Sequence, residues 1–154
     1  YKRIGQVDKR VLEALHKILF DQVKNPIKKD EQINLAGYSY GAVVLEHVAL
    51  ELIRMGKKID NLILIASPTQ NESELYEALQ GQISKGNIKQ VIRIDIIEDN
   101  LSNASDVQMI EGGLGASPLG SGDDHPHFDL ARPGDEADKK IKEAGEILKN
   151  KGVK

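Results

Sequence analysis

A serine flanked by two glycines is the feature of the sequence whose residue types and spacing best fit chemistry. Gly37, Ser39 and Gly41 form a Gly-x-Ser-x-Gly pattern that follows a short apolar segment and opens the apolar segment 41–55. A strand, a sharp turn and a helix in this order project the central hydroxyl above the end of a sheet. Both glycines are predicted to remove Cβ atoms that would clash where strand and helix approach. The pattern indicates a nucleophilic Ser39; a Gly-rich turn with a helix-capping serine is the alternative.

A nucleophilic serine needs a base, and an acid that orients the base, and both residue types follow Ser39 in the chain. Asp99 comes two positions after the apolar segment 90–97, so we expect it just past the carboxyl end of a strand. His127 precedes the last predicted helix and is the predicted general base, with His125 as the alternative base. Pro126 biases His125 toward an extended conformation, so the two rings are not expected to face Ser39 together.

Other residues offer weaker candidates for the same roles. Asp95 lies inside the third predicted strand, Asp106 lies further along the loop, and Glu98 is a neighbour of Asp99. His16 and His47 fall within predicted helices, where a structural role is the simplest interpretation. A metal site is a further alternative, because His125 and His127 stand beside two aspartates.

Hydrophobic spacing predicts the elements that must position these residues. Apolar residues recur at helical spacing over 8–24 and 41–55, from the predicted cap Asn71 to Gly86, and from the predicted cap Asp135 to Gly152. Strands are predicted at 33–36, 61–66 and 90–97. Leu12, Val23 and Ile141 belong to the predicted inward faces of their helices. The alternation predicts an α/β class with three α/β/α layers and a mostly parallel sheet. Three strands are few, and 107–110 is the one further candidate in the long segment that follows.

Composition predicts one soluble globular domain over residues 1–154. The chain carries 21 Lys and Arg against 24 Asp and Glu, a net charge of −3, so nucleic acid is not an expected partner. No apolar run reaches the ~18 residues of a membrane span, and no signal peptide is recognisable. With no cysteine in the chain, disulfides, thiolate nucleophiles and Cys-ligated zinc are excluded, but the compartment is not indicated.

These residues resemble the C-terminal half of an α/β-hydrolase-fold serine hydrolase. The likeness rests on Gly37-Tyr38-Ser39-Tyr40-Gly41 after a strand, Asp99 after a later strand and His127 before a terminal helix. It covers residues 8–154 and implies cleavage of a carboxylic ester or thioester, as in lipases and esterases. Ser39 would be the nucleophile, His127 the base and Asp99 the acid.

The resemblance also implies details of the site and its partners. The Tyr40 N–H would donate to the oxyanion, Tyr38 and Tyr40 would line an apolar mouth, and no cofactor or metal would be needed. The expected partner is a small-molecule or lipid ester. Segment 127–133 is similar to hydrolase domains at the C-termini of large bacterial secreted proteins. This implies an effector domain of a bacterial protein, cytoplasmic or secreted.

The chain departs from the family at its N-terminal side. The strands that begin the family's fold, and the loop that donates the second oxyanion-hole N–H, have no recognisable counterpart here. We therefore expect a C-terminal part of a longer fold, in which one edge of the sheet is unpaired or covered by another segment or chain. An inactive hydrolase-fold binding module and a metal-binding α/β domain that uses His125 and His127 are the alternative functions.

Overall fold

The computed structural model describes residues 5–69, 73–96, 108–110 and 134–154, and these alternate between helices and strands. The elements are α1 (Gly5–Lys24), β1 (Asn34–Tyr38), α2 (Tyr40–Arg54), β2 (Ile59–Ile65), α3 (Glu74–Ser84), β3 (Ile88–Ile96), β4 (Gln108–Ile110) and α4 (Asp135–Asn150). The α/β class predicted from hydrophobic spacing is confirmed. The short β4 lies within the candidate segment 107–110.

The four described strands form one parallel sheet in the order β1-β2-β3-β4. Tyr38 of β1 stands opposite Ile65 of β2, which in turn stands opposite Ile94 of β3. Ile94 is also the residue opposite Gln108, where β4 begins. Because all four strands run the same way, the residues that follow them lie together at one end of the sheet.

Helices cover both faces of this sheet. On one face, side chains of α1, α2 and α3 pack on β1, β2 and β3, with Val11, Val48, Leu62, Leu64 and Leu79 buried. On the other face, α4 packs through Ala144 on Ile63, Ile92 and Ile94. Neighbours in β2 such as Ile63 and Leu64 thus enter opposite layers, which explains the unbroken apolar run of this strand.

Of the helices that the structure describes, α2 has the most residues that are recorded as buried. Its buried residues are Ala42, Val44, Glu46, His47, Val48, Ala49, Leu50 and Leu52. Apolar residues surround most of this helix because the sheet, α1 and α3 enclose it. No helix in the described part of the chain is long and apolar enough to cross a membrane.

Three residues predicted to face inward lie at the surface. Leu12 is 51% exposed, Val23 82% and Ile141 54%. The buried face of α1 is a narrower strip that includes Val11 and Leu15. Helical spacing shows which residues share a side of a helix, but the width of the side that finds a partner depends on the neighbouring elements.

Amide side chains link the strands at the amino ends of the sheet. Asn61, 1% exposed, donates to Asn34 Oδ1 over 2.7 Å and accepts a hydrogen bond of 2.6 Å from Gln90 Nε2. We call Asn34, Asn61 and Gln90 the amide ladder. Gln90 Nε2 also donates to the carbonyl oxygen of Lys151 over 2.7 Å, so the ladder holds the chain that leaves α4. Hydrogen bonding offsets the burial of these polar groups.

Candidate active site

Ser39 occupies a strained turn between β1 and α2. Its backbone angles are φ 54° and ψ −124°, a region that residues other than glycine rarely adopt. Its N–H donates to the carbonyl oxygen of Ile65 over 2.8 Å, which fixes the turn to the end of β2. Such a conformation costs of order 1–3 kcal/mol, and residues that retain it cluster at functional sites.

The Ser39 side chain does not cap the helix that it precedes. It stands at the N-cap position of α2 and makes no side-chain capping hydrogen bond there. Capping residues have an extended backbone that lets the side-chain oxygen reach the N–H groups of the first turn, and Ser39 has a different backbone conformation. The alternative of a helix-capping serine is therefore wrong.

The two glycines of the pattern have different roles. A Cβ atom on Gly37 would lie 2.6 Å from the carbonyl oxygen of Gly41 and 2.7 Å from the Cα of Ala42, both of which are backbone atoms. A Cβ atom on Gly41 would meet nothing within 4 Å. The predicted steric need is thus confirmed for Gly37 and wrong for Gly41, because only Gly37 faces the backbone of the incoming helix.

A groove of about 610 Å³ lies beside the turn. We call it the β1-edge groove; its walls come from α1, β1 and the start of α2, and it is lined by Arg10, Glu13, Ala14, Lys17, Ala36, Gly37, Tyr38, Tyr40, Gly41, Val44 and Leu45. Tyr38 is half-buried and Tyr40 is 46% exposed. Both tyrosines line this groove, and α1 adds charged side chains, so its mouth is only partly apolar. Their place at the mouth of a Ser39 site stays a prediction.

The floor of the groove is the outer edge of β1. Within the described ranges, β1 pairs with β2 alone. Since Ser39 N–H points to Ile65 and the Ile33 carbonyl oxygen accepts from β2, the odd-numbered residues of β1 direct their backbone groups toward β2. Ala36, an exposed even-numbered residue, therefore directs its N–H and C=O into the groove.

A second strained residue lies next to Ser39. Tyr38 and Ile65 are opposite each other in the sheet, and the residues that follow them are Ser39 and Ala66. Ala66 has φ 49°, is fully buried, and donates its N–H to the carbonyl oxygen of Ile94 over 2.8 Å. Both strands thus leave the sheet through left-handed residues at the same level.

A buried polar cluster stands behind this second turn. The Ser67 hydroxyl donates to Glu46 Oε1 over 3.0 Å, and Arg93 donates to the carbonyl oxygens of Thr69 over 2.6 Å and of Ser67 over 3.2 Å. Asp95 Oδ1 lies 3.5 Å from Arg93 Nη2. Glu46, Ser67, Thr69, Arg93 and Asp95, all at most 8% exposed, form what we call the Glu46–Arg93 cluster.

Burial is the largest cause of the raised pKa of Glu46 in this cluster. It raises the pKa of Glu46 from its ordinary value of 4.5 to about 7, against the opposing effects of hydrogen bonds from Thr69 and Ser67 and of the Arg93 charge. The pKa of Tyr76, whose ring lies 5.4 Å from the Arg93 guanidinium, is also raised by burial. The folded state favours the protonated form of Glu46. The contribution of this group to the free energy of unfolding is therefore complete below pH 4.5 and is lost as the pH rises through about 7.

Three of the candidates from the sequence can be placed by this geometry. Asp95, a weaker candidate for the acid, is fully buried beside Arg93, on the face of the sheet that α2 and α3 cover. His47 is buried within α2 and His16 is exposed on α1, in agreement with the helical positions predicted for both. Glu46 was not among the residues singled out from the sequence, although a carboxylate amid the apolar residues of 41–55 was a signal of a buried acid.

The predicted partners of Ser39 lie outside the described residues. These are Asp99, His127, the alternative base His125 and the weaker acids Glu98 and Asp106. Among the residues that are described, no group of three or more His, Asp or Glu side chains could hold a metal ion. The metal site predicted from His125 and His127 therefore stays a prediction.

Comparisons with known proteins add no family to this geometry. No protein-family model matches the chain, and no curated protein and no solved structure matches it. The conformation of Ser39 and the surroundings of its turn are accordingly the observations that bear on function.

Proposed function

We propose that the chain carries the nucleophile of a serine hydrolase that cleaves a carboxylic ester or thioester. The single observation that supports this most strongly is the positive φ of Ser39 in a strand-to-helix turn, combined with the absence of a capping bond from its side chain. Residues at functional sites retain strain of this kind, and for a nucleophile the conformation projects the hydroxyl past the end of the sheet.

The proposed mechanism is acyl transfer to water. Ser39 Oγ attacks the carbonyl carbon while His127, oriented by Asp99, accepts the hydroxyl proton. The tetrahedral intermediate collapses, the bond to the leaving group breaks, and His127 returns the proton to the departing alcohol or thiol. Water then attacks the acyl-enzyme with the same base and restores Ser39.

Electrostatic stabilisation comes from the start of α2. Tyr40 is its first residue, so its N–H belongs to the unpaired amide groups at the positive end of the helix. That N–H is the proposed first donor to the oxyanion. The tyrosines on either side of Ser39, both at the β1-edge groove, would contact the organic part of the ester.

Labelling with a fluorophosphonate tests the proposal directly. The intact protein should form a covalent adduct on Ser39, because this probe reacts with serines that a neighbouring base activates. Ser39→Ala should abolish the adduct, whereas Ser84→Ala, which removes an exposed serine on α3, should leave it unchanged. The measurement is intact-protein mass spectrometry followed by peptide mapping.

Two outcomes of the labelling experiment would contradict the proposal. A correctly folded protein that takes up no probe would contradict the hydrolase proposal and favour an inactive binding module. Labelling at any residue other than Ser39 would contradict the assignment of the nucleophile.

We further propose that an additional β-strand pairs with the outer edge of β1 and brings the second oxyanion donor. Ala36 directs its backbone groups into the groove, and the small residues Ala14, Ala36 and Gly37 leave room for another backbone there. An open parallel edge of a sheet with buried faces is prone to pair with further polypeptide. A strand at this position would run beside the Ser39 turn, where a second N–H is required.

Hydrogen exchange of individual amides tests this pairing. In the intact protein, the Ala36 N–H should be protected to a degree similar to that of Gly37, whose N–H points into the ladder with β2. Ala36→Pro removes the outward N–H and should slow fluorophosphonate labelling about ten-fold through a displaced donor. Ala36→Ser keeps both that N–H and a small side chain, so it serves as the control. Rapid exchange at Ala36 beside slow exchange at Gly37 would show an unpaired edge.

A further inference from the structure

The two left-handed residues at the carboxyl ends of β1 and β2 are held by different means. Two hydrogen bonds fix Ser39 between β1 and α2. The Ser39 N–H donates to the carbonyl oxygen of Ile65, and the Ala42 N–H donates to the carbonyl oxygen of Ser39. Ala66 has its N–H bond to Ile94 but begins a turn instead of a helix. Within this turn, Ser67 Oγ accepts a hydrogen bond from the Thr69 N–H over 3.3 Å, and further support comes from side chains of other elements.

The Glu46–Arg93 cluster supplies that support. Glu46 belongs to α2, the helix that starts next to Ser39, and accepts the hydroxyl hydrogen bond of Ser67. Arg93 of β3 binds two carbonyl oxygens of the same turn, those of Ser67 and Thr69. The turn after Ala66 is thus tied on one side to α2 and on the other side to the central part of the sheet.

Stability alone does not explain why an otherwise aliphatic core contains these charges. Buried ion pairs are often no more stabilising than apolar side chains of similar volume, because desolvation offsets their attraction. Unlike apolar side chains, these polar groups fix one particular arrangement, because a hydrogen bond forms only when donor and acceptor are correctly oriented. The groups that face Glu46 are the side chains of Ser67 and Thr69 after β2, Arg93 of β3 and Tyr76 of α3, and Asp95 lies beside Arg93.

We infer that Glu46 and Arg93 are positioning residues for Ser39, because they hold the Ala66–Thr69 turn that begins next to the residue bound by the Ser39 N–H. This inference rests on the proposed hydrolase function. The Ser39 N–H donates a hydrogen bond to the carbonyl oxygen of Ile65, the residue directly before that turn. Movement of the turn therefore displaces the backbone of the nucleophile. Displacement of a reacting group by about 1 Å can slow a reaction up to 10²-fold.

Two substitutions each remove one partner of the hydrogen bond between Ser67 and Glu46. Glu46→Leu keeps the approximate side-chain volume and removes the acceptor. Ser67→Ala removes the donor to Glu46, together with the oxygen that accepts the Thr69 N–H over 3.3 Å within the same turn. Both should lower the rate constant for fluorophosphonate labelling about ten-fold, and the loss should appear in kcat rather than KM when a p-nitrophenyl ester is the substrate. Glu46→Gln keeps an oxygen acceptor and should restore most of the rate.

Asn61→Ala provides the matched control. Asn61 is as deeply buried and hydrogen-bonded as Glu46, but it belongs to the amide ladder at the opposite ends of the strands. Its loss should lower the midpoint of urea unfolding and leave the labelling rate of the folded protein unchanged. All rates are measured at pH 8 and at a temperature where circular dichroism shows each variant to be folded.

The outcomes separate this inference from the function on which it rests. If the unsubstituted protein takes up no probe, the hydrolase proposal fails. If that protein is labelled and folded Ser67→Ala reacts at the same rate, the hydrolase proposal stands and the positioning role is overturned. Equal rate losses in Asn61→Ala and Ser67→Ala would also overturn it, because the effect would then follow general destabilisation.

Discussion

Replacement of Ser39 by alanine is expected to lower the hydrolysis of short p-nitrophenyl esters by about 10³-fold or more, because the covalent route is lost. The fold should be retained, since the side chain makes no capping bond that α2 would lose. The measurement is steady-state hydrolysis by the intact protein, with circular dichroism as the check on folding. Undiminished turnover would contradict the assignment of Ser39 as the nucleophile.

Ser39→Gly separates the catalytic role of this residue from its structural role. Glycine adopts φ 54° without strain, so this variant should be as inactive as Ser39→Ala and more stable than the unsubstituted protein by about 1 kcal/mol. Ser39→Ala keeps the strain and should show no such gain. A Ser39→Gly variant that is less stable would show that the turn is not strained in the way its backbone angles indicate.

Gly37→Ala is expected to destabilise the protein by about 3 kcal/mol, because the new Cβ atom overlaps backbone atoms that have no room to move. It would lie 2.6 Å from the Gly41 carbonyl oxygen and 2.7 Å from the Ala42 Cα, so either β1 or the first turn of α2 must shift. The midpoint of urea unfolding measures the loss. We expect the Ser39 turn to be displaced and labelling to fall in proportion.

Gly41→Ala is the matched control for this effect. The added Cβ atom meets nothing within 4 Å, and alanine is the better helix former in the first turn of α2. Stability should therefore be unchanged or raised, by at most about 1 kcal/mol. Equal destabilisation by both substitutions would show that the pattern needs two glycines, as the sequence alone suggests.

The sequence by itself determined the elements and the layers of this protein. Apolar spacing predicted α2, and the unbroken run 61–66 predicted a strand covered on both faces, because these patterns follow from the periods of a helix and a strand. It also identified Ser39 as the residue of the strand-to-helix turn. Local residue order is sufficient for such features, since each depends on neighbours a few positions apart.

The tertiary structure alone decided which of these residues are needed and what supports them. Only the approach of α2 to β1 shows that Gly37 is required and Gly41 is not, and only packing leaves Leu12 and Val23 exposed. The bond between Ser67 and Glu46 joins residues 21 positions apart, a separation at which no periodicity relates them. The physical reason is that the period of a helix or strand sets the side on which a side chain lies. The partner of that side chain depends on which element occupies that side after the sheet and helices have packed.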